Sequence, residues 1–505
     1  MNTKNKVIGA ALLGVLLLAA CFFLIPPRLE KKTEARVTEF LEKLPGDVSA
    51  GSVKADFWKG EVVLQAVHGT WKRPDGIEFV IEAEKLRALD INAGSLAASG
   101  PVRLLGLLHV ERPSVLVRAS MPGLAQDMTQ SIKMSDLDLR DISGDLNRLI
   151  AVLRDDGTPP AEISEIMDAI AAFSVGEAAM NGYNVDTTIG SITVRSALDS
   201  FTGRNMRLTG AGPCEWRGFR CNLLGMEIVS MEKARSASFS VPNFFAFAAD
   251  LQQDHDGAKF SRAFAQALEN SPIVLRDAEV EGFSISLGLL TPKGISIKKS
   301  TMDFTLGARR GAVRFTLSAL NLPPDIYRFI PWADDLASAY GKDLNLEAVL
   351  DLDAALEEEN GSPDVKSGNL NVKKFSLTDP ALASFDSDGA FTLVCSEGGD
   401  LECLLAFGAE VFLKNYRVAL EDTGLLNVFF TAGEDTSGQR AAAAARIREE
   451  AAGEDNVNAV KILPGIAQLV AAPGRLLVTL NPAAPVSLDK LDESDLNPAV
   501  EYTPR

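Results

Sequence analysis

The sequence predicts an α+β protein: an N-terminal transmembrane helix followed by a β-rich body of antiparallel sheet with packed helices. Three observations lead there. Residues 7–25 carry no charge, residues 47–119 alternate apolar and polar side chains, and later strand-like segments follow stretches with helical periodicity. A 505-residue chain with 46% hydrophobic and 23% charged residues has an ordinary globular composition and room for several domains.

The uncharged run comes first. As a helix it spans about 28 Å, close to the hydrocarbon thickness of a bilayer. Lys4 and Lys6 precede it and Pro26-Pro27 end it, so residues 1–27 read as a membrane anchor. Val7, Leu12, Leu16, Leu18, Phe22, Phe23 and Ile25 are its apolar anchor residues. A second reading stays open, because Leu18-Ala19-Ala20-Cys21 fits a lipobox, which makes Cys21 a candidate lipidation site after signal cleavage. Phe22 to Ile25 favour the uncut helix, since a lipoprotein tether is usually small and polar.

Residues 28–119 form the next segment. Val37, Phe40, Leu41 and Leu44 stand at i, i+3, i+4 and i+7, the mark of a short amphipathic helix that Pro45-Gly46 stops. The period then falls to two. Ile77, Phe79, Ile81 and Ala83 share one face and Glu78, Glu82 and Glu84 the other. A turn at "RPDG" precedes this strand, and "VRLLGLLHVERPSVLVRA" adds two strands broken at Pro113. This stretch is a meander of half-buried strands.

Segments 120–320 and 321–484 are expected to hold helix-plus-strand units. Helical stretches are expected at 145–172 and 242–270, and a marginal, exposed helix in the Ala-rich 434–456 region. "AAMNGYNVDTTIGSITV" (178–194) and "AEVEGFSISLGLLTPKGISI" (278–297) recur loosely, with an aromatic after glycine in both: Gly182-Tyr183 and Gly282-Phe283. Residues 351–367 read as an acidic, solvated hairpin or loop and 485–505 as a C-terminal tail trailing along the surface.

Composition and cysteines narrow the function classes. A formal net charge of −18 leaves no basic stripe for phosphates, which argues against nucleic acid. Apart from Cys21, the cysteines fall into two local pairs, Cys214 with Cys221 and Cys395 with Cys403. Each pair brackets a short segment between apolar stretches, as a hairpin-spanning disulfide would, and their spacing does not suit zinc. Two disulfides in an oxidising compartment are expected.

No catalytic constellation is visible. His68, His109 and His255 are scattered, and no Gly-x-Ser-x-Gly elbow or phosphate-binding glycine motif is present. "DHDG" (254–257) and "DSDG" (386–389) fail as calcium loops, with Ala263 and Cys395 at the bidentate position, and read as turns. The expectation is a protein with no cofactor, no metal and no enzymatic activity.

The order of parts over 28–119 resembles the N-terminal module of AsmA-like bacterial envelope proteins. The matching segments are "DVSAGSVKADFWKGEVVLQAVHG", "IEFVIEAEKLRALDI" and "LLHVERPSVLVRA", under a fifth of the chain. The resemblance implies a single-pass inner-membrane protein with its body in the periplasm. It further implies a curved sheet whose apolar concave face suits acyl chains, and a role in lipid handling or envelope assembly. The implied partners are the membrane bilayer, phospholipid acyl chains and envelope proteins. An envelope scaffold that binds another protein without moving lipid is the alternative.

Overall fold

The computed structural model describes residues 34–35, 37–38, 41, 47–56, 59–72, 78–92, 100–120, 127–145, 148, 169–243, 257–286, 294–330, 333–356, 366–395, 403–404, 409–430 and 435–505. Residues 1–27, with the expected anchor and Cys21, lie outside these. Among the described residues no helix is long and apolar enough to cross a membrane. Strands make up 62% of the structure, in a large antiparallel arrangement. The chain divides into two units, Met1–His255 and Asp256–Arg505.

The first unit holds β1 (Asp47–Asp56), β2 (Glu61–Lys72), β3 (Glu78–Leu89), β4 (Val102–Glu111), β5 (Ser114–Ser120), β6 (Asp127–Lys133) and β7 (Asp136–Gly144). It continues through β8 (Ser174–Ile189), β9 (Ile192–Arg207), β10 (Gly210–Ala211), β11 (Cys214–Leu223), β12 (Met226–Ser236) and β13 (Ser238–Ser240). Its plan is simpler than thirteen labels suggest. β4 and β5 are one long strand interrupted at Arg112-Pro113, and β6 and β7 are another, interrupted at Met134-Ser135. Pairing runs through the interruptions: the Arg112 N–H donates to the Ser135 carbonyl at 2.9 Å and the Met134 N–H to the Pro113 carbonyl at 3.0 Å. Pro113 is tolerated because only its carbonyl is used there. Each long strand then pairs antiparallel with the one before and the one after, from β1 to β12.

The alternation of this sheet slips in every strand at the same level. In β2 the buried positions are Val62 and Leu64, then Val67 and Gly69; in β3 they are Phe79, Ile81 and Ala83, then Leu86 and Ala88. An odd step of three residues separates the two sets, yet the apolar side chains stay on one face. The extra residue is absorbed by left-handed backbone. Ala66, Arg112, Gly182 and Gly218 have φ of 50, 47, 61 and 67°. The strand registers set them in one row, separated by Glu84, Ser135 and Asp199 on the intervening strands. A Cβ on Gly218 would run into the Asp199 carboxylate, so that position favours glycine on space as well as on φ. A second such row holds Asp90, Asp141 and Asn205, with φ of 58, 50 and 50°. It lies six positions along each strand, roughly 20 Å from the first.

The second unit is a meander of β14 (Ile273–Ile285), β15 (Ile295–Leu306), β16 (Arg310–Leu322), β17 (Leu344–Leu356), β18 (Lys366–Asp379), β19 (Ala383–Cys395), β20 (Glu410–Asp422), β21 (Gly474–Leu480), β22 (Val486–Ser487) and β23 (Ala499–Pro504). From β14 to β21 each strand pairs with the next, β22 pairs with β20, and β23 pairs with β21. Its helices are α1 (Gly257–Asn270), α2 (Pro324–Tyr327), α3 (Asp334–Tyr340), α4 (Leu425–Phe430), α5 (Thr436–Gly453) and α6 (Val457–Ala471).

Several expectations are revised. Helices do not alternate regularly with strands, because most connections between paired strands are too short to hold one. The expected helix at 145–172 lies largely outside the described residues, and that at 242–270 is described only as α1. β5 pairs with β6 across residue 120, and β16 runs through residue 320. Asp351 to Leu356 end β17 and Lys366 opens its antiparallel partner β18, so of the two alternatives for 351–367 the strand pairing matches the hairpin. Asp386 to Gly389 sit inside β19, so "DSDG" is strand rather than turn.

Two features assembled from polar residues hold the C-terminal part. Asp435 caps α5, accepting the Gly438 N–H at 2.8 Å. Arg440 on α5 is buried and makes four hydrogen bonds: it donates to the Leu469 and Val470 carbonyls at the end of α6, to Asn427 Oδ1 and to Asp422 Oδ2. Residues 485–505 do not trail. Asn458 donates to the Leu491 and Ser494 carbonyls and accepts the Leu496 N–H, while Val500 and the Tyr502 ring close on Gly465 and Gly474. Among the described residues β23 pairs with β21 alone, which makes it an edge strand.

Candidate functional site

Cross-strand neighbours in an antiparallel sheet point to the same face, so the registers sort each sheet into rows. In the first unit one row reads Leu64, Leu86, Val110, Leu137, Met180, Phe201 and Trp216. Beyond the slip, another reads Val67, Ala83, Pro113, Met134, Tyr183, Leu198 and Phe219, and the face remains apolar. Helical residues Val37 and Leu41 pack on it over β2 to β4, where Leu64, Leu86, Leu104, Leu105 and Leu108 are fully buried. That end is a closed core.

The second unit is built differently. Met302, Phe315, Leu350, Phe375, Ser387, Val418 and Val478 form one row from β15 to β21. The rows beside it are Ser300, Leu317, Ala348, Leu377, Phe385, Leu420 and Leu476, and Phe304, Val313, Leu352, Val372, Gly389, Tyr416 and Leu480. Three rows across seven strands therefore carry almost no polar side chain. Described elements pack at the margins. Tyr327, Leu336 and Leu382 cluster at one end of the strands, and the Cys395–Cys403 disulfide packs against Leu356 and Leu370 at the other. α6 lies against Leu476 and Val500 at the β21–β23 side. In the middle rows Phe375 and Leu377 remain 38% and 40% exposed, as adjacent side chains on one strand. Large apolar groups left in water on a contiguous face mark a binding surface.

The opposite face carries alternating charge. Asp303, Arg314, Asp351, Lys374, Asp388 and Arg417 share one row. Arg314 pairs with Asp351 at 3.2 Å and Lys373 with Asp353 at 2.6 Å. Burial raises the Asp353 carboxyl, but hydrogen bonds from Lys373 and Asn371 outweigh it and hold the group below the usual aspartate range. The first unit has the same polarity. A hydrogen bond from Lys85 lowers Glu111, and Arg217 with Lys233 lowers Glu215. Each sheet thus has one apolar and one ionic face.

The histidines belong to that ionic face. His109 meets Asp138 at 2.5 Å, and His68 lies between Thr70 at 3.1 Å and Glu82 at 3.5 Å. His255 lies outside the described residues. Among the described residues no group of three or more His, Cys, Asp or Glu side chains is placed to hold a metal ion.

The cysteines divide. Cys395 and Cys403 form a disulfide with Cα atoms 5.8 Å apart, both buried. Cys214 and Cys221 are free thiols, which corrects the expected second disulfide. "CEWRGFRC" is not a hairpin but one strand, β11, with the cysteines near its two ends. Seven residues of strand separate them by roughly 23 Å, far beyond disulfide reach. The slip at Gly218 returns both to the apolar face, and burial pushes the Cys214 thiol up.

The slip rows were not part of the sequence expectation. Gly182-Tyr183 and Gly282-Phe283 were the visible trace of the slips. Both glycines have φ of 61° inside a long strand. No family model matches this chain, and no curated protein matches it.

Proposed function

We propose that this chain is a membrane-anchored envelope protein of AsmA-like character that handles lipid, with acyl chains resting on the apolar face of the second unit. The observation that carries the reading is the three-row apolar face on which Phe375 and Leu377 stay exposed. An acyl chain is the partner such a face suits: it asks for apolar area without hydrogen-bond donors or acceptors. The resemblance of residues 28–119 adds support, as does the Cys395–Cys403 disulfide, which fits an oxidising compartment such as the periplasm. Residues 1–27 supply the inner-membrane anchor in this reading, and the role is binding, not catalysis.

The test is mass spectrometry of lipids retained by the full-length chain after mild extraction, with and without Phe375→Asp and Leu377→Asp. Retained phospholipid that the double substitution reduces several-fold is the expected result. A parent protein that carries no lipid, or carries as much as the variant, would overturn the reading in favour of a protein-binding scaffold.

A further inference from the structure

The turns that join β8 to β9 and β11 to β12 lie side by side at one end of the first unit's sheet, since β9 pairs with β11 and Leu223 faces Val194. Turn residues are ordinarily polar. These are not. The first reads Ile189-Gly190-Ser191-Ile192 and the second Leu223-Leu224-Gly225-Met226, with no charge in either. Ile189, Ile192, Leu224 and Met226 are all exposed, Ile192 at 51% and Leu224 at 64%. Inward of the first turn Asp186 and Arg195 neutralise one another at 3.3 Å, and Glu227, exposed beside Met226, puts one negative charge at the edge of the second. Between the turns lies a notch of about 250 Å³ lined by Ser191, Thr193, Arg195, Asn222, Leu224 and Gly225.

We infer that this pair of turns is a contact point for the surface of a neutral, zwitterionic bilayer. Three arguments select that occupant. The four aliphatic residues carry no charge and the exposed Glu227 beside them is negative, which disfavours anionic head groups. Four aliphatic side chains on two turns fall well short of the ~800 Å² per partner that a stable protein interface buries. A bilayer asks for less, because a few aliphatic side chains gain from entering its outer apolar layer while uncharged Ser, Thr and Asn groups stay at the head groups. Lastly, Ile189 and Ile192 form the outermost row of the unit's own apolar face, in line with Met128, with the hydrogen-bonded Gln130 and Thr187 in the row behind them. This last argument rests on the reading that apolar sheet surface takes acyl chains, and the experiment separates the two.

The full-length chain is reconstituted into phosphatidylcholine vesicles whose acyl chains carry bromine, which quenches tryptophan at membrane depth. Leu224→Trp is compared with Lys59→Trp, a variant at the β1–β2 turn on the opposite end of the sheet; the four native tryptophans are subtracted using the parent protein. Quenching of the Leu224→Trp signal at least twofold greater than that of Lys59→Trp is the expected result. Equal quenching overturns the inference. Ile192→Trp repeats the test if the first variant is poorly folded. Binding of a fluorescent fatty acid, measured on the same samples, reports on the lipid-handling reading alone. Binding without tip quenching removes the inference and keeps that reading, and tip quenching without binding does the reverse.

Discussion

The two units use the same meander to opposite ends. In the first, every strand slips by one residue at a common level, and helical side chains close the face over β2 to β4. In the second, only β14 to β16 share such a slip, with Gly282 and Ala319 left-handed in one row through Lys298; later strands take up bulges one by one, as at Lys373 on β18 and near Lys414 on β20, and the packing elements stay at the margins. A buried face contributes stability, whereas a face left partly in water is available to a ligand. The comparison therefore locates stability in one sheet and binding surface in the other.

The largest effect is expected where a buried charge would lose its partner. Arg440 and Asp422 are each only 3% exposed. Arg440→Ala strands the carboxylate and is expected to cost about 3–5 kcal/mol. Peptide-resolved hydrogen exchange should show the loss in α4 to α6 and β20, with the first unit unchanged. Protection lost equally in both units would break the division into two.

A smaller pair of substitutions sharpens the contrast. Leu64 is fully buried, so Leu64→Ala should destabilise the first unit by about 3 kcal/mol. Leu377→Ala removes a side chain already in water and should cost less than about 1 kcal/mol. Equal costs in urea titrations would mean that the face of the second unit is closed.

The smallest effect is a pH dependence on the ionic face. Asp353 titrates below the ordinary aspartate range when folded, so its contribution is complete above the unfolded value. It is lost as pH falls through the lower folded one. Lys373→Met should lower the melting temperature slightly near neutrality, and the gap from the parent should close below about pH 4. A gap that persists in acid would remove the ion pair as its cause.

Part of this was legible in the chain. Glu78 to Glu84 alternate cleanly because one face is packed and the other solvated, and β3 covers that stretch and runs on to Leu89. The recurrence of glycine before an aromatic was visible, but its cause was not. A left-handed residue resets the phase, so Leu64 and Val67 look out of step for any single strand and make sense only beside their neighbours. The same reset hid β11: Cys214 and Cys221 sit seven apart, a spacing that suggests a loop until Gly218 is known to carry the slip. The tail misled for a different reason. Pro485, Pro498 and Pro504 suggest irregular chain, whereas pairing of β22 with β20 and β23 with β21, and Asn458 bonding the segment between them, hold it in place.

The shared slip also constrains how such a sheet changes over time. Inserting or deleting one residue in β8 alone would throw it out of phase with β7 and β9 at once, turning apolar side chains outward along half its length. Strand length is therefore locked across the sheet. Whole hairpins, by contrast, can be gained or lost at an edge without disturbing any existing row. Lineages of this protein should differ in the number of hairpins far more than in the length of a strand.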